Sequence, residues 1–274
     1  MKISVLTPTY NRANTIGKLY DSLVLNSQCR ERSPRRSAKF SDAEWLIMDD
    51  GSTDSTKELV QSWIQENKID IKYFYQENQG KMTALNNLTE HATGNVIIEC
   101  DSDDYFTEDA FKIIAGKYQT LKKNNKAYAL MFLKYDQNRE LIGSKFKSNN
   151  HISTNFDLYF KEGLEGDKAL VFKTEIRKQY KHKLENNEKF VTEARMYHQM
   201  DLKYKVICFN EPIMICEYRE NGYSSNIQKI FKENPYGYYK YFKEILGLGM
   251  KKVSLKKKLY VIKHYILFTY LTKL

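Results

Sequence analysis

Val96-Ile97-Ile98-Glu99-Cys100-Asp101-Ser102-Asp103-Asp104 decides how this chain is read. An apolar run entered through Thr93-Gly94-Asn95 predicts a buried strand, and it ends in three carboxylates within four residues. Carboxylates this close repel and raise one another's pKa unless a cation neutralises them. The cluster therefore asks for a bound metal or a metal complex carrying phosphate. A solvated acidic turn capping a helix from about Thr107 accounts for the same residues, because Asp-rich turns before helices are common.

Outward from that stretch, strand and helix alternate. Ile3 to Leu6 reads as a strand, followed by the loop Thr7-Pro8-Thr9-Tyr10-Asn11-Arg12 and a helix capped by Asn14 and running to Leu25. Residues 27–43 form a polar insertion, too polar to pack and expected as a surface excursion. Glu44 to Met48 predicts a second strand, again ending in acid at Asp49-Asp50-Gly51-Ser52-Thr53-Asp54, before a helix over 56–66. Ile71 to Tyr75 is a third strand, and Glu77-Asn78-Gln79-Gly80-Lys81 opens a helix through His91. Lys81 is unusual there, since the positive end of a helix disfavours a cation unless an anion lies nearby. Short connections fit right-handed crossovers, so the first hundred residues predict a parallel α/β unit, with loops at the strands' carboxyl ends where such sheets bind nucleotides.

Thr107-Glu108-Asp109 caps the next helix, to about Lys122, and beyond residue 125 the pattern changes. Tyr128 to Leu133, Glu140 to Gly143, Gly166 to Phe172, Val206 to Phe209 and Ile213 to Tyr218 predict strands, Ser153 to Phe160 a short helix, and Lys189 to His198 a helix with Glu193 in its first turn. A carboxylate there is favoured by the helix dipole alone, and His198 reads as structural. Residues 219–226 read as a loop, a hairpin or exit turn.

Four motifs in order carry a resemblance: Thr7-Pro8-Thr9-Tyr10-Asn11; Asp49-Asp50-Gly51-Ser52-Thr53-Asp54; Asn78-Gln79-Gly80-Lys81 with Ala84 and Asn86; and Asp101-Ser102-Asp103-Asp104. Together they resemble family 2 glycosyltransferases of the GT-A fold, of the inverting, polysaccharide-building kind, over residues 2 to about 226. The resemblance implies a nucleotide-sugar donor, most often UDP-linked. Pro8 and Tyr10 would line the base site, Asp50 would bond the uracil, and Lys81 would face the nucleotide. Asp101 would approach the ribose, and Asp103 would hold a divalent metal, Mn2+ or Mg2+, on the diphosphate. Glu193 falls where the family carries its catalytic base; the family often has an acidic pair there, whereas Ala194 follows here. Asp167 and Glu188 are the next candidates for that role. In the resemblance, the loop at 219–226 would close over the diphosphate. The implied domains are a nucleotide-sugar half, 1–104, an acceptor half, 105–226, and a basic helical region, 227–274.

Composition bounds the rest. The 274 residues suffice for a full core, and no Gly/Ser/Pro-rich linker interrupts them. Cys29, Cys100, Cys208 and Cys216 lack metal-binding spacing and read as free thiols of a reducing compartment. With no signal-like segment and no apolar run near the ~20 residues of a membrane span, a cytoplasmic protein is expected. The net charge of +10 favours an anionic partner. Nucleic acid is not expected, because the 21 tyrosines are scattered and no nucleic-acid-reading motif occurs. In the tail, Leu255, Leu259, Ile262, Ile266 and Tyr270 recur at helical spacing among lysines, with no acid after Glu244. That is either a terminal packing helix or a basic amphipathic helix for the inner face of a membrane, where family acceptors are often lipid-linked saccharides.

The expected activity is therefore inverting, metal-dependent transfer of a hexosyl or N-acetylhexosaminyl group to a saccharide or lipid-linked saccharide, in surface polysaccharide (capsule-type) synthesis. Two other readings stay open: a phosphatase with an Asp-x-Asp nucleophile, which usually follows the first strand, and a non-catalytic binder of nucleotide sugar or membrane. A glycosidase is disfavoured, because its two carboxyls must stand ~5–9 Å apart across a bond.

Overall fold

The computed structural model describes residues 1–28, 42–217 and 227–273. The first half alternates as expected: β1 (Lys2–Thr9), α1 (Ile16–Gln28), β2 (Asp42–Asp49), α2 (Thr56–Glu66), β3 (Asp70–Tyr75), α3 (Lys81–His91) and β4 (Val96–Glu99). There follow β5 (Tyr105–Phe106), α4 (Ala110–Lys123), β6 (Ala127–Asp136), β7 (His151–Ser153), a π-helical turn (Asp157–Lys161), β8 (Lys168–Lys173), α5 (Thr174–Arg177), α6 (Glu193–Asp201), β9 (Lys205–Cys216), α7 (Ile227–Glu233), α8 (Pro235–Gly247) and α9 (Leu255–Leu271). Of the expected 27–43 excursion, residues 29–41 lie outside the described residues, as does the loop at 219–226. The two ends of that excursion belong to α1 and β2.

One sheet runs β3-β2-β1-β4-β8-β6-β9-β5, with β7 beside β9. β1 pairs in parallel with β2 and β4, and β2 with β3, whereas β8 lies antiparallel between β4 and β6. Strand alternation divides the core in two. Ile3, Val5, Trp45, Ile47, Val96 and Ile98 face one side, where α1, α2 and α4 pack; Trp63 of α2 stacks on Tyr20 of α1 at 4.4 Å. Leu6, Leu46, Met48 and Ile97 face the other side, against α3, α6, α8 and α9.

Three expectations are corrected. Glu140 to Gly143 is not a strand: one bridge joins Leu141 to Tyr135, and Gly143, at φ +72°, then turns the chain tightly against Glu165 and Gly166. Ser153 to Phe160 divides, with Ser153 ending β7 and the π-helical turn following, because Glu162 accepts from the Ser153 hydroxyl at 2.6 Å and holds it at the sheet. The two strands expected over 206–218 are one, β9, which passes through Pro212. Register shifts against β6 at Phe132 to Lys134 form a bulge there, a site where the missing proline N–H is tolerated.

Candidate active site

The carboxyl ends of β1, β2 and β4 lie side by side, so the motifs that follow them converge. β1 runs to Thr9 and Pro8 is buried within it, while Tyr10 beyond is 47% exposed. Asn11, at φ +51°, turns back on the β2 loop: its Oδ1 accepts from the Thr53 N–H at 2.8 Å, and its own N–H donates to Ser52 Oγ at 2.9 Å. Asn and Asp tolerate this left-handed conformation, which explains the residue type.

Asp50 is buried and organises the next turn. Its Oδ1 accepts from the Gln79 N–H at 2.8 Å and from Gln76 Nε2 at 2.7 Å, and its Oδ2 accepts from the Gly80 N–H at 2.8 Å. Gly80, at φ +90°, is pressed against the backbone of Lys189, where a Cβ would collide with a carbonyl oxygen. Lys189 Nζ donates to Asn78 Oδ1 at 2.8 Å. The start of α3 and the segment leading into α6 are thus held together, four residues before Glu193.

That contact brings three predicted residues to one point. Lys81 Nζ lies 2.8 Å from Asp101 Oδ2 and 3.0 Å from Glu193 Oε1. The lysine side chain is 17% exposed, those of Asp101 and Glu193 44% and 29%, so the cation sits deeper and the carboxylates face the opening. Burial opposes the lysine's charge, but Asp101 and then Glu193 outweigh it and hold its pKa well above the ordinary value. The anion that a cation at a helix start requires is therefore present twice over.

The remaining carboxylates separate into different environments. Asp103 is half-buried between Ser102 and Asp104. Asp104 is buried against Lys134, and burial pushes its pKa up to about 6 despite that lysine, while the Cys216 thiol donates to its Oδ2 at 3.1 Å. Asp167 is held at 2.6 Å by Lys134, its side chain 67% exposed. Glu188, the other fallback base, is buried and accepts the Tyr236 and Gly237 N–H groups at 2.6 Å each, capping the start of α8. That is a structural duty.

Among the described residues no cluster of three or more His, Cys, Asp or Glu could hold a metal alone. The donor set nevertheless suits Mg2+ or Mn2+, which take oxygen ligands and are commonly held by one or two carboxylates plus phosphate oxygens. Asp101 and Asp103 are of the right kind, and the Asp101 side chain is accessible to solvent.

Sequence reasoning missed the layer beneath. Arg177 is fully buried, its Nε 2.7 Å from Glu99 Oε1 and its Nη1 donating to the Tyr180 carbonyl at 2.7 Å. The pair fastens the end of β4 to α5, directly before the acidic stretch. No local pattern announces a partner 78 residues away; a charged residue ending an apolar strand was the available signal.

The chain is similar to several known proteins. The chain is 29% identical over 205 residues to a Campylobacter jejuni GalNAc(5)-diNAcBac-PP-undecaprenol beta-1,3-glucosyltransferase, covering 72% of this chain and 58% of that one. It is 35% identical over 114 residues to an uncharacterized glycosyltransferase of Mycoplasma genitalium, covering 41% and 35% respectively. The chain thus spans about a third of the length of the Mycoplasma relative. In structure it resembles S. aureus TarS 1-349 in complex with UDP-GlcNAc, with TM-score 0.66 at 19% identity over 98% of this chain and 73% of that one. It also resembles a Pyrobaculum calidifontis mannosyltransferase in complex with GDP-Man and Mn2+, with TM-score 0.58 at 18% identity over 97% and 69%. The α/β architecture is the GT-A fold that the four motifs imply. The model of the family "Glycosyl transferase family 2" matches residues 4–181, more than half of the sequence, and the chain belongs to that family.

Proposed function

We propose that this protein is an inverting glycosyltransferase that moves a hexosyl or N-acetylhexosaminyl group from a UDP-linked donor to a saccharide or lipid-linked saccharide, at the inner face of a membrane, in surface polysaccharide synthesis. The observation that carries this reading is the Lys81 nitrogen flanked by Asp101 at the end of β4 and Glu193 at the start of α6. It joins the nucleotide side of the cleft to a carboxylate from the opposite half of the chain. The UDP-GlcNAc bound to TarS and the undecaprenol-linked saccharide in the name of the Campylobacter glucosyltransferase support the same reading.

Transfer breaks the bond between the anomeric carbon and the diphosphate, forms one to an acceptor oxygen, and removes that hydroxyl's proton. Tyr10 offers an exposed ring for the base, and Asp50 positions the turn that carries Lys81. Lys81 brings positive charge to the diphosphate side. Asp103, with Asp101 beside it, would hold a divalent cation, which when bound offsets the charge on the departing UDP. Glu193 takes the acceptor proton. A base on one face and the leaving group on the other make a single displacement, hence inversion.

Replacing Glu193 by Gln keeps the shape of the site and removes the base. Turnover should fall about 100-fold or more with UDP affinity retained. Turnover near wild type would pass the role to Asp167, the exposed one of the two fallback carboxylates. UDP binding without turnover in the wild type, across a panel of nucleotide sugars, would leave a binding protein.

A further inference from the structure

α9 carries two apolar stripes and the fold uses one. Val261 and Phe268, seven residues apart, are buried, and His264 between them stacks on Phe242 of α8 at 5.2 Å. Leu255, Leu259, Ile262, Ile266 and Tyr270 lie roughly 150° around the helix from that face at 3.6 residues per turn, and they are 44–71% exposed. Ser254 caps the helix, accepting from the Lys257 N–H, so α9 is a defined element with a bare apolar side. Charge borders that side. Lys256 and Lys263 flank one edge and Lys258 the other, Lys251 and Lys252 are exposed just before the helix, and no acidic residue follows Glu244. Lys257, on the packed side, instead donates to the Tyr159 carbonyl.

We propose that α9 docks this protein on an anionic lipid surface, its outward stripe inserting shallowly while the bordering lysines meet the headgroups. Charge complementarity selects this occupant. A symmetric contact with a second copy would set lysine borders against lysine borders, whereas anionic headgroups neutralise them and the acyl boundary takes the stripe. The helix lies on the surface; no helix among the described residues is long and apolar enough to cross a membrane. Docking also fixes the site. α9 packs on α8, and Glu244 of α8 accepts from Arg195 Nη2 of α6 at 2.8 Å, two residues beyond Glu193. The surface is thereby rigidly related to the candidate base, which suits an acceptor borne on a lipid. That last link rests on the proposed transfer; the docking does not.

The test is cosedimentation of the full chain with phosphatidylcholine vesicles, with and without phosphatidylglycerol, at low and high salt. Wild type should pellet with the anionic vesicles at low salt and be released by high salt. A lysine near such a surface raises partitioning about fivefold, so the triple change Lys256→Gln, Lys258→Gln, Lys263→Gln should lower it about 100-fold. Leu259→Asp with Ile266→Asp should abolish it. Both variants alter solvent-facing side chains, so circular dichroism and UDP binding should stay as in wild type, and loss of docking is distinguishable from loss of the nucleotide site. Wild type remaining in the supernatant with anionic vesicles, or pelleting equally with neutral ones and after the lysine changes, would overturn the proposal. So would a dimer in light scattering that Leu259→Asp dissolves, which would give the face to a second copy.

Discussion

At the scale of single residues the cleft is a problem in charge. One lysine faces two carboxylates, and Asp103 and Asp104 stand next to Asp101 in sequence. In the proposed reaction an arriving diphosphate would add further negative charge that Lys81 alone would not offset, which is the reason for proposing a divalent cation at Asp103. Asp103→Asn should abolish the manganese-dependent part of UDP affinity; calorimetry with manganese and with chelator checks it, and an unchanged difference removes Asp103 from the metal site. A second residue stabilises the fold in a pH-dependent way. His198 is enclosed by Phe156, Phe160 and Tyr241, and burial pushes its pKa down to about 3 from an ordinary 6.5. The unfolded chain therefore takes up the proton first as pH falls below 6.5, and stability present at neutral pH is lost towards pH 3. Between pH 7.5 and 5 this group should remove about 2 kcal/mol. His198→Phe should be less pH-sensitive than wild type by that amount in urea unfolding, and identical sensitivity would refute the assignment. Lys81 and the acidic stretch holding Asp101 stood out in the sequence as charges at element ends that need explaining, whereas Glu193, which the helix dipole alone accounts for, was singled out only by the family resemblance. The Glu99–Arg177 and Lys134–Asp167 pairs were not, because ion pairing between distant segments leaves no local pattern.

At the scale of elements the site depends on how closely α3 approaches the segment before α6. Gly80 makes that approach, with positive φ and no room for a Cβ beside Lys189. Gly80→Ala should cost at least about 1–3 kcal/mol in stability and, by displacing Lys81 from Glu193, weaken UDP binding as well. Thermal melts and UDP titration test this, and a variant with wild-type affinity would show that the turn does not set the lysine. The strands β1, β2 and β4 could be read from sequence because each is a short apolar run bounded by turn residues and buried, and β3, the half-exposed edge strand, by its run of β-branched and aromatic residues. β9 could not be read as one strand, since Pro212 signals a break and only pairing with β6 supplies the bulge that accommodates it. β5, two residues long, exists through its pairing with Ile215 and Met214. α8 begins Pro235-Tyr236-Gly237-Tyr238-Tyr239, a composition that hides helical periodicity, and its start is held by Glu188 from elsewhere in the chain.

At the scale of the whole molecule the C-terminal helices share the core of the sheet they follow. Ile230, Tyr238, Phe242, Ile245, Val261 and Phe268 belong to the same buried cluster as Leu85 and Leu88 of α3 and Met196 and Met200 of α6. Burial of even four such side chains contributes about 6–12 kcal/mol. That is comparable with the net stability of a whole domain, about 5–15 kcal/mol. A fragment ending at residue 226 would lose those contacts and bare the faces of α3 and α6 that receive them, together with the α8 partner of Arg195. We expect the full chain to unfold in one cooperative transition, and the 1–226 fragment to bind a hydrophobic dye, aggregate and lack that transition. Calorimetry of both proteins distinguishes the cases. Two separate transitions in the full chain, or a soluble fragment melting within a few degrees of it, would make 227–274 an appendage, and the position of Glu193 would then be independent of the docking helix.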